Sequence, residues 1–149
     1  MVGLDKTDES ILGALRENAR MTVKEISRKL ELPRSTVHDR IQRLDKSKVI
    51  KQWTIVPDYQ KTGKPITAFV LAKYLHSEGL KQPRIAEEIA KLPNVCEVHM
   101  ITGNWDFLIK ARVSDIHELS QLTIDRLGEM KGIGERVTAT SLRCAKEEI

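Results

Sequence analysis

The chain has 149 residues, 40% apolar, 31% charged and 4% aromatic, with a formal net charge of +4. That is enough to bury a core, in one domain or two small ones. No apolar run approaches the roughly 20 residues a membrane helix needs, and the first residues lack the apolar core of a signal peptide, so a cytoplasmic protein with no membrane partner is expected. Cys96 and Cys144 show no CxxC or Cys/His spacing, which argues against a zinc site or a disulfide scaffold and favours buried, reduced thiols.

The charge is unevenly spread. Residues 1–62 hold 13 Lys/Arg against 9 Asp/Glu, whereas residues 63–149 hold 12 of each. Within Arg20 to Lys51 the count is 10 basic to 4 acidic, a footprint suited to a polyanion. The second part needs another task.

The first predicted helix starts at Asp5, whose side chain can cap exposed N–H groups, and runs through Ile11, Leu12 and Leu15 to a stop near Asn18. Thr22 opens a second helix with Glu25 three places on, a capping box, and Met21 and Ile26 stand where a hydrophobic staple forms. Val23, Ile26 and Leu30 share one face. Glu31, Leu32 and Pro33 end this helix, since proline cannot continue one but can begin another. A third helix, from about Arg34 to Lys46, directs Val37, Ile41 and Leu44 toward the first two. Its opposite face carries Ser35, Asp39 and Gln42, flanked by Thr36 and Arg43 on one side and His38 on the other.

Two short capped helices, a three-residue turn and a basic second helix are the pattern with which proteins enter a DNA groove. Arg34, Ser35, Thr36 and His38 lie in the part of the helix that meets base edges. Arg34 suits guanine O6 and N7, while Ser35 and Thr36 suit bases or phosphates. Arg40 and Arg43 join them as DNA-binding candidates. Asp39, repelled by phosphate, either accepts from cytosine N4 or pairs with Arg43 at i, i+4, and the pairing is favoured. Val49 to Val56 is rich in β-branched residues and reads as a strand, which makes a winged arrangement with Lys46, Lys48 and Lys51 near phosphates. A helical bundle with a solvated basic face is the plainer alternative.

Pro57 to Pro65 holds two prolines, a glycine and no apolar periodicity, and reads as a linker. The domains are therefore residues 1–56, a linker 57–65, and residues 66–149. Beyond the linker the pattern predicts a strand over Ile66 to Leu75, a helix over Pro83 to Leu92 and a strand over Val95 to Thr102. A turn at Gly103 and Asn104 leads into an alternating strand, Phe107 to Val113. A helix from about Ile116 to Met130 and a strand over Arg136 to Cys144, entered through Gly132 and Gly134, complete a βαββαβ order. The fold class is α+β, the second domain a ferredoxin-like antiparallel sheet with both helices on one face. Its other face, carrying residues such as Leu108 and Leu142, lacks a cover, so a homodimer is expected. Helix-turn-helix units commonly read two-fold-related half-sites, which agrees.

The segments LDKTDESIL, LPRSTVHDRIQRLDKSKVI and TGNWDFLIKARV, in this order and followed by the glycine-bearing turn before the last strand, resemble the Lrp/AsnC family over nearly the full length. The resemblance implies a DNA-binding transcriptional regulator of double-stranded DNA whose dimers assemble into tetramers, octamers or larger species and sense an amino acid. It also implies an effector pocket between dimers at Gly103, Asn104, Trp105 and Asp106, with Thr138 and Thr140 of the last strand nearby. Gly103 lets backbone approach a ligand and Asp106 can take an ammonium group. The alternative is a plain hairpin in which Asp106 caps local backbone and Trp105 packs between subunits. His99 reads as an ordinary residue, and no metal, cofactor or catalytic residue is expected.

Pro33 stands where the family often has a capping serine, and Lys48 where it commonly has glycine before the Val-Ile pair. Lys48 would then be left-handed, at a cost of about 1 kcal/mol. An enzyme on the second domain would need a convergent nucleophile, acid or anion cradle, none of which is apparent. An RNA-binding sheet would need stacking aromatics. The closer rival is an architectural DNA-compacting protein with little sequence preference.

Overall fold

The computed structural model describes residues 3–76 and 79–147. The chain separates into two compact units, Met1–Ile55 and Val56–Ile149.

The first unit is built from three short helices whose ends are closed by side chains. At α1 (Lys6–Glu17), the Asp8 N–H donates to Asp5 Oδ1 at 2.9 Å and the Asp5 N–H donates to Asp8 Oδ2 at 3.1 Å. At α2 (Val23–Leu30), the Glu25 N–H donates to Thr22 Oγ1 at 3.3 Å and the Thr22 N–H to Glu25 Oε2 at 2.7 Å. Each box satisfies two donors that a helix start leaves unpaired. Glu31, left-handed at φ 55°, ends α2, and α3 (Arg34–Lys46) begins after Pro33, which gives it no side-chain cap. Ile11, Ala14, Leu15, Ile26, Val37 and Leu44 form the core, with Met21 and Ile41 packed against it.

The expected wing strand does not form. Lys48 is left-handed at φ 58°, the Ile50 N–H returns to the Leu44 carbonyl at 3.1 Å, and residues 51–58 carry no helix or ladder. Val49 and Ile50 pack on the helical core, whereas Ile55 and Val56 are exposed. β-Branched residues make a strand only where another edge supplies hydrogen bonds, and among the described residues the first unit holds none. It is a helix-turn-helix without a wing.

In the second unit β1 (Ile66–Tyr74), β2 (Val95–Met100), β3 (Phe107–Val113) and β4 (Ile133–Thr140) form one antiparallel sheet in the order β2-β3-β1-β4. Ala68, Val70 and Ala72 of β1 lie opposite Ala111, Ile109 and Phe107 of β3. Onto that face pack Ile85 and Ile89 of α4 (Gln82–Ala90), together with Leu122 and Leu127. This is the ferredoxin-like arrangement.

Four details depart from the sequence reading. The last strand starts at Ile133, not Arg136, and ends at Thr140. Gly132, at φ 90°, closes the turn, its carbonyl accepts the Leu75 N–H at 2.9 Å, and pairing begins at once with Tyr74 opposite Ile133. Leu142 therefore lies beyond the sheet and is fully exposed. The helix expected over Ile116 to Met130 divides into α5 (Ile116–Ser120), a π-helical turn over Gln121–Arg126, and α6 (Leu127–Glu129). Thr123 Oγ1 donates to the Leu119 carbonyl at 2.9 Å, competing with the backbone for that acceptor, and the Leu127 N–H bonds Leu122, five residues back. The expected linker belongs to the second unit: its turn is closed by a 2.8 Å bond from the Lys64 N–H to the Tyr59 carbonyl, and the Tyr59 ring lies 3.5 Å from the Arg112 guanidinium carbon. Cys96 and Cys144 are free but exposed, since the bulge in β2 and the end of β4 place both outside the core.

A methyl group added at Gly132 would stand 2.3 Å from buried Ile85 Cδ1, on backbone that L-residues rarely adopt. Gly132→Ala is expected to destabilise the second unit by about 2 kcal/mol or more, read as a shifted urea midpoint.

Candidate nucleic-acid interface and ligand loop

The residues that α3 offers to solvent are set by what it buries. With Val37 and Leu44 in the core, Arg34, Ser35 and His38 are exposed and Thr36 is half-buried. His38 and Gln42 hydrogen-bond along the helix through their Nε2 atoms at 3.0 Å. Lys48 and Lys51, exposed just beyond the helix, add positive charge.

Arg40 and Arg43 differ from the rest. Both reach Asp8, which has no exposure at all: Arg40 Nη1 donates to Asp8 Oδ1 at 3.1 Å and Arg43 Nη2 donates to Asp8 Oδ2. Arg40 also bonds Asp5, and so joins the capping residues of α1 to α3. The expected Asp39–Arg43 pair is absent, because Arg43 turns toward α1. Sequence reasoning missed Asp8. Its signal was a carboxylate three and seven places before Ile11 and Leu15, hence on the buried stripe of α1, where a charge requires a partner.

The Arg40 guanidinium and the Asp8 N–H hold the Asp5 carboxyl down at about 2, against an ordinary 3.8. For Asp8, burial alone pushes upward and is the largest single influence. The Asp5 N–H and the guanidinium groups of Arg40 and Arg43 together outweigh it and keep the carboxyl below its ordinary value.

In the second unit, the turn between β2 and β3 presents Gly103, at φ 116°, and Asn104 to solvent. Trp105 is half-buried, with Lys73 Nζ 5.5 Å from its ring centroid, a cation–π contact. Asp106 is occupied by backbone: its Oδ2 accepts the Tyr74 N–H at 2.8 Å where β1 bulges, its N–H donates to the Ala72 carbonyl at 3.0 Å, and its carbonyl accepts the Ile101 N–H at 3.0 Å. Thr138 and Thr140 are exposed on β4, opposite Val70 and Ala68. Two strand spacings and the offset along β4 put them about 12 Å and about 17 Å from the Phe107 end of β3. The turn and these threonines do not meet within one chain. His99 lies 3.2 Å from Glu97, and among the described residues there is no His/Cys/Asp/Glu group able to hold a metal.

A helix-turn-helix unit joined to a ferredoxin-like unit of this strand order defines a two-domain transcriptional regulator. Residues 4–45 match the AsnC-type helix-turn-helix domain and residues 67–149 the Lrp/AsnC ligand-binding domain. The chain belongs to the Lrp/AsnC family. It is 45% identical to a helix-turn-helix-type transcriptional regulator of Pyrococcus furiosus, across 98% of this chain and 97% of that one. It is 33% identical to the regulator FL11 of Pyrococcus horikoshii, across 98% and 94%. Among solved structures, a transcriptional regulator of Neisseria meningitidis in complex with L-methionine superposes with a TM-score of 0.88 at 26% identity, covering 98% of this chain and 94% of that one. No helix among the described residues is long and apolar enough to cross a membrane.

Since Asp5 and Asp8 titrate lower folded than unfolded, their contribution to stability is complete above the unfolded value near 3.8 and is lost as pH falls below it, for Asp5 toward about 2. Helical circular dichroism in urea, followed across that window, should show the first unit weakening. Asp5→Asn should flatten this acid limb, and an unchanged limb would remove Asp5 from its cause.

Proposed function

We propose that the protein is a sequence-specific regulator in which Arg34, Ser35, Thr36 and His38 meet base edges while Lys48 and Lys51 meet phosphates. The observation that carries this reading is the polar N-terminal half of α3 standing free on a helix whose other face is fixed in a buried core. A cytoplasmic location follows from that role. The outer face of the sheet, with Phe69, Leu71, Leu108 and Val137, is the proposed self-association surface; Val137 is 47% exposed. A homodimer through it, assembling further to a tetramer or octamer, would present two reading helices to paired half-sites.

The effector in this reading is an amino acid or a related small metabolite, with Gly103, Asn104, Trp105 and Asp106 contributed by one copy and Thr138 and Thr140 by another. The L-methionine complex of the Neisseria regulator supports that ligand class. So does the turn itself, where exposed Gly103, at φ 116°, precedes Trp105 by two residues and the Lys73 ammonium lies 5.5 Å from the centroid of the Trp105 ring.

Binding to a duplex selected from a random pool and to an unselected duplex, each across a salt series, tests the DNA reading. Tighter binding to the selected duplex is expected; equal affinity and equal slope on both would favour the architectural alternative. Arg34→Ala should cost about 1–3 kcal/mol on the selected duplex and relax preference at one position, while Lys51→Ala should weaken both duplexes alike. For the effector, Asp106→Asn keeps an oxygen for the Tyr74 N–H but removes the charge. It should retain stability within about 1 kcal/mol and lose the rise in melting temperature that an amino acid gives the wild type. A normal rise would remove the Asp106 charge from ligand binding.

A further inference from the structure

The +6 excess of Arg20 to Lys51 overstates the charge that α3 can place on DNA. Thr36, Arg40 and Arg43 stand at i, i+4 and i+7, one stripe along the flank of α3 that begins among the base-contact candidates. A helix seated in a major groove about 12 Å wide has phosphates on both flanks, so two arginines in this stripe would ordinarily be backbone contacts. Here both are bonded back to α1, Arg40 with a side chain 28% exposed and Arg43 with one 46% exposed. Asp8, unexposed, takes Arg40 on one oxygen and Arg43 on the other, and Asp5 takes Arg40 as well. The Asp8 carboxylate is itself oriented by the Asp5 N–H at 3.1 Å through the capping box of α1. The Asp5 N–H therefore orients the acceptor independently of either arginine.

Resting on the reading that α3 enters DNA, we infer that Asp8 is a positioning residue for DNA recognition: it withholds Arg40 and Arg43 from the phosphates, so that sequence-independent attraction comes from Lys48 and Lys51 instead. Phosphate contacts carry no sequence information and supply most non-specific binding. Two fewer of them at each reading helix lower the affinity for unselected DNA and leave the base-contact residues a larger share of the total. The clamp also spares Arg40 and Arg43 from repelling one another one turn apart, a cost that an unpaired stripe of two guanidinium groups would carry.

The salt dependence of DNA affinity distinguishes this from a purely structural ion pair, which alters stability but leaves the number of displaced counterions unchanged. Arg43→Gln, an exposed substitution, should leave the slope of log K against log salt concentration on an unselected duplex at its wild-type value. A slope shallower by about 0.9 would show Arg43 on a phosphate and overturn the proposal. Asp8→Asn should steepen the slope by about 0.9 for each guanidinium released and tighten binding to unselected duplex at low salt. Adding Arg43→Gln to Asp8→Asn should take back one such step. An Asp8→Asn protein that is folded by circular dichroism but keeps the wild-type slope would equally overturn the proposal. If Asp8→Asn does not fold, Asp8→Asn with Arg40→Gln, which leaves a single guanidinium to release, carries the test: its slope should be steeper than that of Arg40→Gln by about 0.9, and equal slopes would overturn the proposal. Failure of the wild type itself to prefer selected over unselected duplex would count against sequence-specific reading, a separate outcome visible in the same titrations.

Discussion

The first unit is arranged around a carboxylate that water cannot reach. Apolar contacts among Ile11, Leu15, Val37 and Leu44 are non-directional and would tolerate α1 and α3 sliding past one another by a fraction of a turn. Asp8 would not. A buried charge is stable only when fully paired, so the helices pack in the one register that brings both arginines to its two oxygens. That register fixes which face of α3 looks outward and places Arg34, Ser35 and His38 in solvent. The apolar core supplies most of the driving force, and the ion pairs choose among the ways of satisfying it.

What the sequence disclosed and what it hid divide along physical lines. Interactions local in the chain were legible: the Thr22/Glu25 box, the staple of Met21 and Ile26, and the alternation of Phe107 to Val113 all form as the spacing predicts. Elements whose existence depends on a distant partner were not. Val49 to Val56 has the composition of a strand, but composition cannot supply an edge to pair with. Asp8 and Arg43 stand 35 positions apart, and only the packed helices show that Arg43 faces Asp8 and not Asp39 on its own helix. In the last helix the deciding group is one hydroxyl, Thr123, which takes a backbone acceptor and widens the turn.

The candidate ligand turn shows the same limit. Gly103 to Asp106 could be read as a pocket lip or as a hairpin, and Asp106 does the work of the hairpin: it ties the bulged end of β1 to the start of β3 through backbone groups of Ala72 and Tyr74. This is compatible with the proposed ligand role of the turn. A turn whose backbone N–H groups are to meet a small carboxylate must be rigid beforehand, since ordering it on binding would cost affinity. One Asp106 oxygen, bonded to the Tyr74 N–H at 2.8 Å, and the half-buried Trp105 beside Lys73 provide that rigidity.

The outer sheet face carries an electrostatic condition of its own. Arg112, 8% exposed, lies against the Tyr59 ring and donates through Nη2 to both oxygens of Glu147 at 2.6 and 2.7 Å, while Lys110 bonds Glu147 and, at 2.9 Å, Glu97. Two cations on a face that also presents Phe69 and Leu108 would oppose its burial if they stood alone. Paired with Glu97 and Glu147 they form a neutral group, and the planar Arg112 fork, closed on a carboxylate and covered by an aromatic ring, is the form in which an arginine is buried at least cost. Any surface that packs here must therefore leave Glu147 in place or bring a carboxylate of its own, because stripping one partner from a buried pair costs about 3–5 kcal/mol. The segment after β4 is thus part of the face that the sheet turns outward, and Glu147 is what balances the two cations there.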